Sequence, residues 1–66
     1  MKVILNGKTY DYSGVNTLER LLASIGAVDK QVAVMVNDRI VKSGCRAGFE
    51  ISENDRVEVL TIVGGG

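Results

Sequence analysis

The sequence predicts an α+β domain in which a mixed sheet of about five strands packs on one main helix. Short segments rich in β-branched residues recur along the chain, separated by turn dipeptides. Between the second and third of these segments lies one stretch with the apolar spacing of a helix. The chain has 66 residues, which is enough for one small domain with a single core.

The helix is the clearest predicted element. Asn16 is expected to cap its first turn, and Glu19 follows three residues later, as in a capping box. Gly26 provides the left-handed residue that commonly ends a helix. Apolar residues occupy the positions of one helical face, namely Leu18, Leu21, Leu22 and Ile25. A single apolar stripe predicts that one side of the helix packs on the sheet.

The predicted strands span residues 2–6, 8–12, 31–37, 39–42 and 56–63. Asn6-Gly7 joins the first two strands, because both positions of a two-residue hairpin turn need positive φ. Asn37-Asp38 turns the chain between the third and fourth. The resulting order, ββαββ with a last strand that can lie beside the first, describes a β-grasp sheet wrapped on one helix.

The predicted domain covers residues 1–63, and residues 64–66 form a separate tail.

After a loop at residues 43–48, Phe49 and Ile51 are expected to fill the open end of the core. Tyr10 and Tyr12 share one face of an edge strand and are expected to cover the core.

Strand alternation places several apolar residues on the face of the sheet that points away from the helix. In the last strand, Arg56 and Glu58 mark the solvated face, so Leu60 and Ile62 share it. The same reasoning places Ile4 and Met35 outward. These four residues, Ile4, Met35, Leu60 and Ile62, form either a partner interface or an ordinary scatter of surface apolar residues.

Composition excludes several classes of function. Eight basic and eight acidic residues give a net charge of zero, which argues against a dedicated binder of nucleic acid or anionic membrane. There is no His and only one Cys, so zinc sites and the usual nucleophile–histidine pairs are excluded. We expect no bound metal or cofactor, no membrane span and a reducing, cytoplasmic location.

The chain ends in Gly64-Gly65-Gly66. Glycine has no Cβ and packs against nothing, so this segment adds nothing to the fold. It is a thin thread that reaches about 10 Å at about 3.3 Å per residue and carries the Gly66 carboxylate at its tip. A frayed terminus or a cloning scar is the alternative interpretation.

The whole chain resembles the ThiS sulfur carriers of thiamine biosynthesis, whose wider ubiquitin-like group includes the small subunit of molybdopterin synthase. The defining motif is the terminal Gly-Gly, here within Ile62-Val63-Gly64-Gly65-Gly66. Further similarity lies in Val3-Ile4-Leu5-Asn6-Gly7, the helix around Leu18 to Leu22, Val32 to Asn37 with Ile40-Val41, and Asn54-Asp55-Arg56-Val57-Glu58-Val59. One departure is Val41-Lys42-Ser43, where many members of the group place a proline.

The resemblance implies a protein co-substrate that is not itself an enzyme. A ubiquitin-activating-type adenylyltransferase would use ATP and Mg²⁺ to join AMP to Gly66. A sulfur donor, ultimately a cysteine desulfurase persulfide, would then leave a thiocarboxylate on Gly66, which is delivered to thiazole synthase. Gly64 and Gly65 would thread the partner active sites, and the free carrier is expected to be a monomer.

Three alternatives stay open at this point. The chain carries sulfur to molybdopterin or another sulfur pathway, or it is a ubiquitin-like modifier of lysines, or it is a β-grasp RNA-binding or regulatory module. Cys45 lies in the loop Ser43-Gly44-Cys45-Arg46. We interpret it as a small, semi-buried residue in preference to a thiol made reactive by the neighbouring Arg46.

Overall fold

The computed structural model describes residues 1–27 and 32–61. In this part of the chain the strands are β1 (Lys2–Leu5), β2 (Lys8–Asp11), β3 (Val32–Val36), β4 (Arg39–Ile40) and β5 (Arg56–Thr61). The helix α1 spans Leu18–Ser24, and a single 3₁₀ turn spans Ser43–Cys45.

The described strands form one mixed sheet in the order β2-β1-β5-β3-β4. β5 lies at its centre, parallel to β1 and antiparallel to β3, while both hairpins are antiparallel. The predicted α+β β-grasp class is therefore confirmed. The last strand does lie beside the first, and this pair supplies the parallel register.

Both predicted hairpin turns are present with the predicted backbone conformation. Asn6 and Gly7 have φ of 49° and 82°, and Asn37 and Asp38 have φ of 51° and 70°. Two successive positive φ values match the twist of the flanking strands. Asn, Asp and Gly tolerate this left-handed region better than other residues.

The predicted helix cap was wrong by one residue. The N-cap is Thr17, whose side chain accepts a hydrogen bond from the Arg20 backbone N–H at 3.4 Å. The Asn16 carbonyl instead accepts the Ile51 N–H at 2.9 Å. A capping box needs a Glu or Gln three residues after the N-cap. Three residues after Thr17 stands Arg20, so Glu19 does not form a capping box.

The end of the helix is as predicted. Ile25 is the C-cap and Gly26 follows with φ of 74°, the left-handed geometry that ends many helices. Leu18, Leu21 and Leu22 are fully buried, and Ile25 is half-buried against the core. The predicted apolar stripe therefore faces the sheet.

The core lies between α1 and one face of the sheet. Ile51 is buried and Phe49 is half-buried against the core, as predicted. Tyr12 is buried and Tyr10 half-buried, which confirms their role as core cover. The remaining buried apolar residues are Val3, Leu18, Leu21, Leu22, Val34, Val36, Val41 and Val57.

Four strands end earlier than predicted within the described residues: β1 at Leu5, β2 at Asp11, β3 at Val36 and β4 at Ile40. β4 ends at Ile40, and Lys42 already caps the 3₁₀ turn. Val41 between them is buried, and its N–H still donates to the Val34 carbonyl at 2.9 Å. β1 ends at Leu5, since Asn6 already belongs to the turn. Residue 31 of the third predicted strand and residues 62–63 of the last lie outside the described residues, as does the predicted boundary between domain and tail.

Candidate functional site

The candidate site begins at the central strand, because β5 carries the chain toward its glycine end. β5 is described as far as Thr61, and Gly66 follows five residues later. Four predicted site residues lie outside the described residues, so their roles stay predictions: Ile62, Gly64, Gly65 and Gly66. The structure does describe β5, the strand that precedes this tail.

Two turn asparagines hold β5 from opposite sides. Asn6 Oδ1 accepts the Val59 N–H at 2.8 Å, and Asn37 Oδ1 accepts the Arg56 N–H at 2.9 Å. Each carboxamide thus takes the place of a ladder partner where the neighbouring strand has turned away. Sequence reasoning used both residues only as turn formers. Their second role depends on partners up to 53 residues distant, which local patterns do not reveal.

The turn before β5 is fixed by a carboxylate. Asp55 Oδ2 accepts the Ser52 N–H at 2.7 Å, and Asp55 Oδ1 accepts from Asn37 Nδ2 at 3.0 Å. Asn54 in the same turn has φ of 69°. Asp55 therefore links the turn to the β3–β4 hairpin and aligns the start of β5.

Two of the residues proposed for the partner interface lie near one another on the open face of the sheet. Leu60 is 57% exposed and lies opposite Ala33. Met35, two residues along β3, is half-buried and lies between Glu58 of β5 and Ile40 of β4. These positions make an apolar strip across β5, β3 and β4.

Ile40 belongs to this strip and was missed from the sequence. It is 74% exposed and pairs directly with Met35 across the second hairpin. The sequence could have shown this, because a two-residue turn at Asn37-Asp38 fixes the register of the hairpin and so pairs Ile40 with Met35. We define the apolar strip as Ala33, Met35, Ile40 and Leu60.

Ile4 lies apart from the apolar strip. It is half-buried on β1 opposite Arg56, so β5 separates it from Met35. Arg56 also forms an exposed ion pair with Asp38 at 2.8 Å. A depression of about 110 Å³ lies between these groups, with Gly7 and Glu58 completing its lining. The open face thus has an apolar side and a charged middle.

Cys45 does not occupy the semi-buried position expected of it. It is exposed, because the whole 3₁₀ turn Ser43–Cys45 stands out from the core. The neighbouring Arg46 is the buried residue, at 7% exposure. Its Nη2 donates to the Val32 carbonyl at 2.7 Å, so the guanidinium covers the edge of β3 beyond β4.

Residues 1–27 and 32–61 contain no group of three His, Cys, Asp or Glu side chains placed to hold a metal ion. Within the same ranges, no helix has the length and apolarity needed to cross a membrane.

A family model described as "ThiS family" matches residues 3–66. The chain belongs to the ThiS family. The solved structures agree: the crystal structure of the thiamine biosynthesis protein ThiS from Geobacter metallireducens superposes with a TM-score of 0.84 at 26% identity, covering 100% of both chains. An NMR solution structure of a thiamine biosynthesis protein from the same organism gives a TM-score of 0.78 at 25% identity, covering 100% of this chain and 88% of the other.

The ThiS-family chain also matches longer proteins. It is 33% identical to a thiazole synthase of Paramagnetospirillum magneticum and 36% identical to one of Magnetococcus marinus, in each case over all 66 residues. It spans only 20% of the length of these two relatives. It is also 30% identical to the uncharacterized protein ycf40 of Pyropia yezoensis, covering 100% of this chain and 93% of that one.

These matches confirm the resemblance and the fold inferred from the sequence. The two solved relatives are described as thiamine biosynthesis proteins. The family match extends to residue 66, so it includes the terminal glycines.

Proposed function

We propose that this chain carries sulfur for the thiazole ring of thiamine, with the Gly66 carboxylate as the carrier group. The observation that carries the proposal is the full-length match to a segment of two proteins named thiazole synthase. A carrier-like segment within such proteins supports a working link between carrier and synthase. The match of the ThiS family model through residue 66 supports placing the chemistry at the chain end.

The carboxylate must first be activated. At neutral pH it is ionised and is a poor acyl electrophile. A carboxylate oxygen of Gly66 would attack the α-phosphate of ATP, with Mg²⁺ neutralising phosphate charge, and pyrophosphate would leave. The catalyst would be a ubiquitin-activating-type adenylyltransferase. ATP and Mg²⁺ thus belong to the partner enzyme.

Sulfur would enter by displacement of AMP. A persulfide sulfur, supplied ultimately by a cysteine desulfurase, attacks the acyl carbon of Gly66 and releases AMP. A thiol then reduces the S–S bond and leaves the thiocarboxylate. This group is a soft sulfur nucleophile, and in thiazole synthase it would transfer its sulfur while Gly66 returns to a carboxylate.

Gly64 and Gly65 would thread the narrow entrances of both enzymes, where any side chain adds width. Because such a tail has few groups to recognise, affinity must come from the folded body. The apolar strip supports this, since Leu60 and Ile40 are 57% and 74% exposed and exposed apolar groups favour association. Ile4 and Ile62 complete the proposed contact surface.

Intact-mass measurement tests the proposal. The protein is incubated with ATP, Mg²⁺, a ThiF-like adenylyltransferase and a sulfur source. The expected product has gained the mass difference of one sulfur replacing one oxygen. A matched chain lacking Gly66 should gain none while keeping the circular dichroism spectrum of the fold. Equal gain in both chains, or gain in neither, would contradict the assignment to Gly66.

The proposed setting is the cytoplasm, with a monomeric carrier that binds its enzymes in turn and binds neither nucleic acid nor membrane. The balance of eight basic and eight acidic residues supports the absence of nucleic-acid and membrane binding, because both need a basic surplus.

A further inference from the structure

The second half of β5 has one open edge. β1 pairs with β5 only at Ile4–Arg56 and Leu5–Val57, and then the chain turns at Asn6. β3 continues along the other side of β5 as far as the Val32–Thr61 pair. The central strand of the sheet therefore becomes an edge strand on one side just before the tail.

The hydrogen bonds show which backbone groups face this edge. Asp55 and Val57 carbonyls accept from β1 and its turn, namely from Ile4 N–H at 2.8 Å and Asn6 N–H at 2.9 Å. Val59 N–H points the same way, toward Asn6 Oδ1. Because alternate residues of a strand direct their backbone groups to the same side, the Val59 carbonyl and Thr61 N–H also face the open edge.

Among residues 1–27 and 32–61, neither of these two groups has a hydrogen-bond partner. Leu60 and Thr61 are exposed, so the edge is accessible. Exposed strand edges are templates for pairing with another chain, and native proteins usually cover or shorten them. Here Asn6 covers the edge at Val59 and leaves the next positions free.

We propose that an extended segment of the adenylyltransferase pairs with β5 at Val59–Thr61, continuing the sheet where β1 stops. This rests on the proposed function and specifies how the partner grips the carrier. The partner strand would donate an N–H to the Val59 carbonyl and accept the Thr61 N–H. Peptide recognition by strand addition obtains its affinity from such main-chain bonds.

The position of the edge argues for an enzyme that handles the tail. Thr61 is five residues from Gly66, and at about 3.3 Å per residue the carboxylate lies within about 17 Å of it along the chain. Pairing at Thr61 would fix the direction in which the tail leaves the sheet. The neighbouring Leu60 side chain points to the open face, so the paired partner strand would lie next to the end of the apolar strip.

Hydrogen exchange of individual amides tests the pairing in the unmodified chain. In the free protein, we expect Thr61 N–H to exchange fast and Val59 N–H, bonded to Asn6, to exchange more slowly. On binding of the adenylyltransferase, Thr61 exchange should slow by about tenfold or more. Fast Thr61 exchange in a saturated complex would overturn the inference.

Substitution provides the second measurement. Thr61→Pro removes an N–H that faces away from β3, a place where proline is tolerated in sheets. It should weaken binding of the adenylyltransferase by about five- to tenfold, the effect of one net hydrogen bond. The matched variant Thr61→Val keeps the N–H and should bind as the wild type does. Equal binding by all three proteins would contradict the pairing.

Three further outcomes separate this inference from its alternatives. If Thr61 is already protected in the free protein, and sedimentation shows a dimer, a second copy occupies the edge and the inference is wrong. If Gly66 is converted to the thiocarboxylate while Thr61 stays unprotected, the proposed function stands and only the strand pairing fails. If no loading and no complex are seen, both fail.

Discussion

Replacement of Asn6 tests how the tail-bearing strand is held. Asn6→Gly keeps a residue suited to the positive φ of 49° and removes the carboxamide that accepts the Val59 N–H at 2.8 Å. The two backbone effects of glycine, a more flexible unfolded chain and relief of the left-handed conformation, oppose each other. The lost hydrogen bond then dominates, and we expect a cost of about 1 kcal/mol in the free energy of unfolding.

The expected change is large enough to measure in so small a domain. A loss of about 1 kcal/mol lowers the melting temperature by about 4–8 °C for a chain of this size. Urea unfolding followed by circular dichroism measures the free energy, and hydrogen exchange reports on Val59 directly. Asn6→Asp keeps an oxygen acceptor and tolerance of positive φ, so it should retain most of the stability and the protection of Val59. Wild-type stability and unchanged Val59 exchange in Asn6→Gly would refute the reasoning.

Three other substitutions have definite expected outcomes. Leu60→Asp should weaken binding to the adenylyltransferase by about tenfold or more, whereas Val15→Asp, at the same 57% exposure but away from the strip, should not; equal effects would remove the apolar strip from the interface. Thr17→Ala should lower the free energy of unfolding by about 0.5–1 kcal/mol through loss of the helix cap, and Asn16→Ala should cost less in the same urea titration; the reverse order would contradict the observed cap. Cys45→Ala should form the thiocarboxylate as fully as wild type in the intact-mass assay, and loss of sulfur loading would show that the exposed thiol takes part.

Local sequence signals predicted most of the fold. The Asn6-Gly7 and Asn37-Asp38 turns require positive φ wherever they occur, and both have it. The helix stripe and Gly26 are equally local, since they depend on spacing within a few residues. These features were predicted because backbone geometry near each residue decides them.

Features that depend on distant partners were harder to predict. Asn16 is a residue type that commonly caps helices. Its carbonyl instead accepts a hydrogen bond from the Ile51 N–H, and the N-cap is Thr17. The strand-holding bonds of Asn6 and Asn37 likewise need the placement of β5 between two hairpins. Spacing along the chain carries no direct information on such contacts.

The candidate surface likewise combines features that local sequence predicts with features that depend on distant contacts. Alternation within a strand placed Leu60 and Met35 on the open face, where the structure has them. Which of the exposed residues are neighbours depends on strand order. Because β5 separates β1 from β3, Ile4 lies apart from Met35, and Ile40 of β4 joins Met35 instead.

The most direct test of sulfur delivery from Gly66 is a two-step intact-mass measurement on one sample. The chain is first loaded with sulfur by the adenylyltransferase, ATP and a sulfur source, and then mixed with thiazole synthase, a deoxyxylulose 5-phosphate substrate and a glycine-derived imine. We expect the mass to rise by the exchange of oxygen for sulfur and then return to its starting value as thiazole forms. A loaded chain that keeps its sulfur while thiazole accumulates would contradict the proposed role.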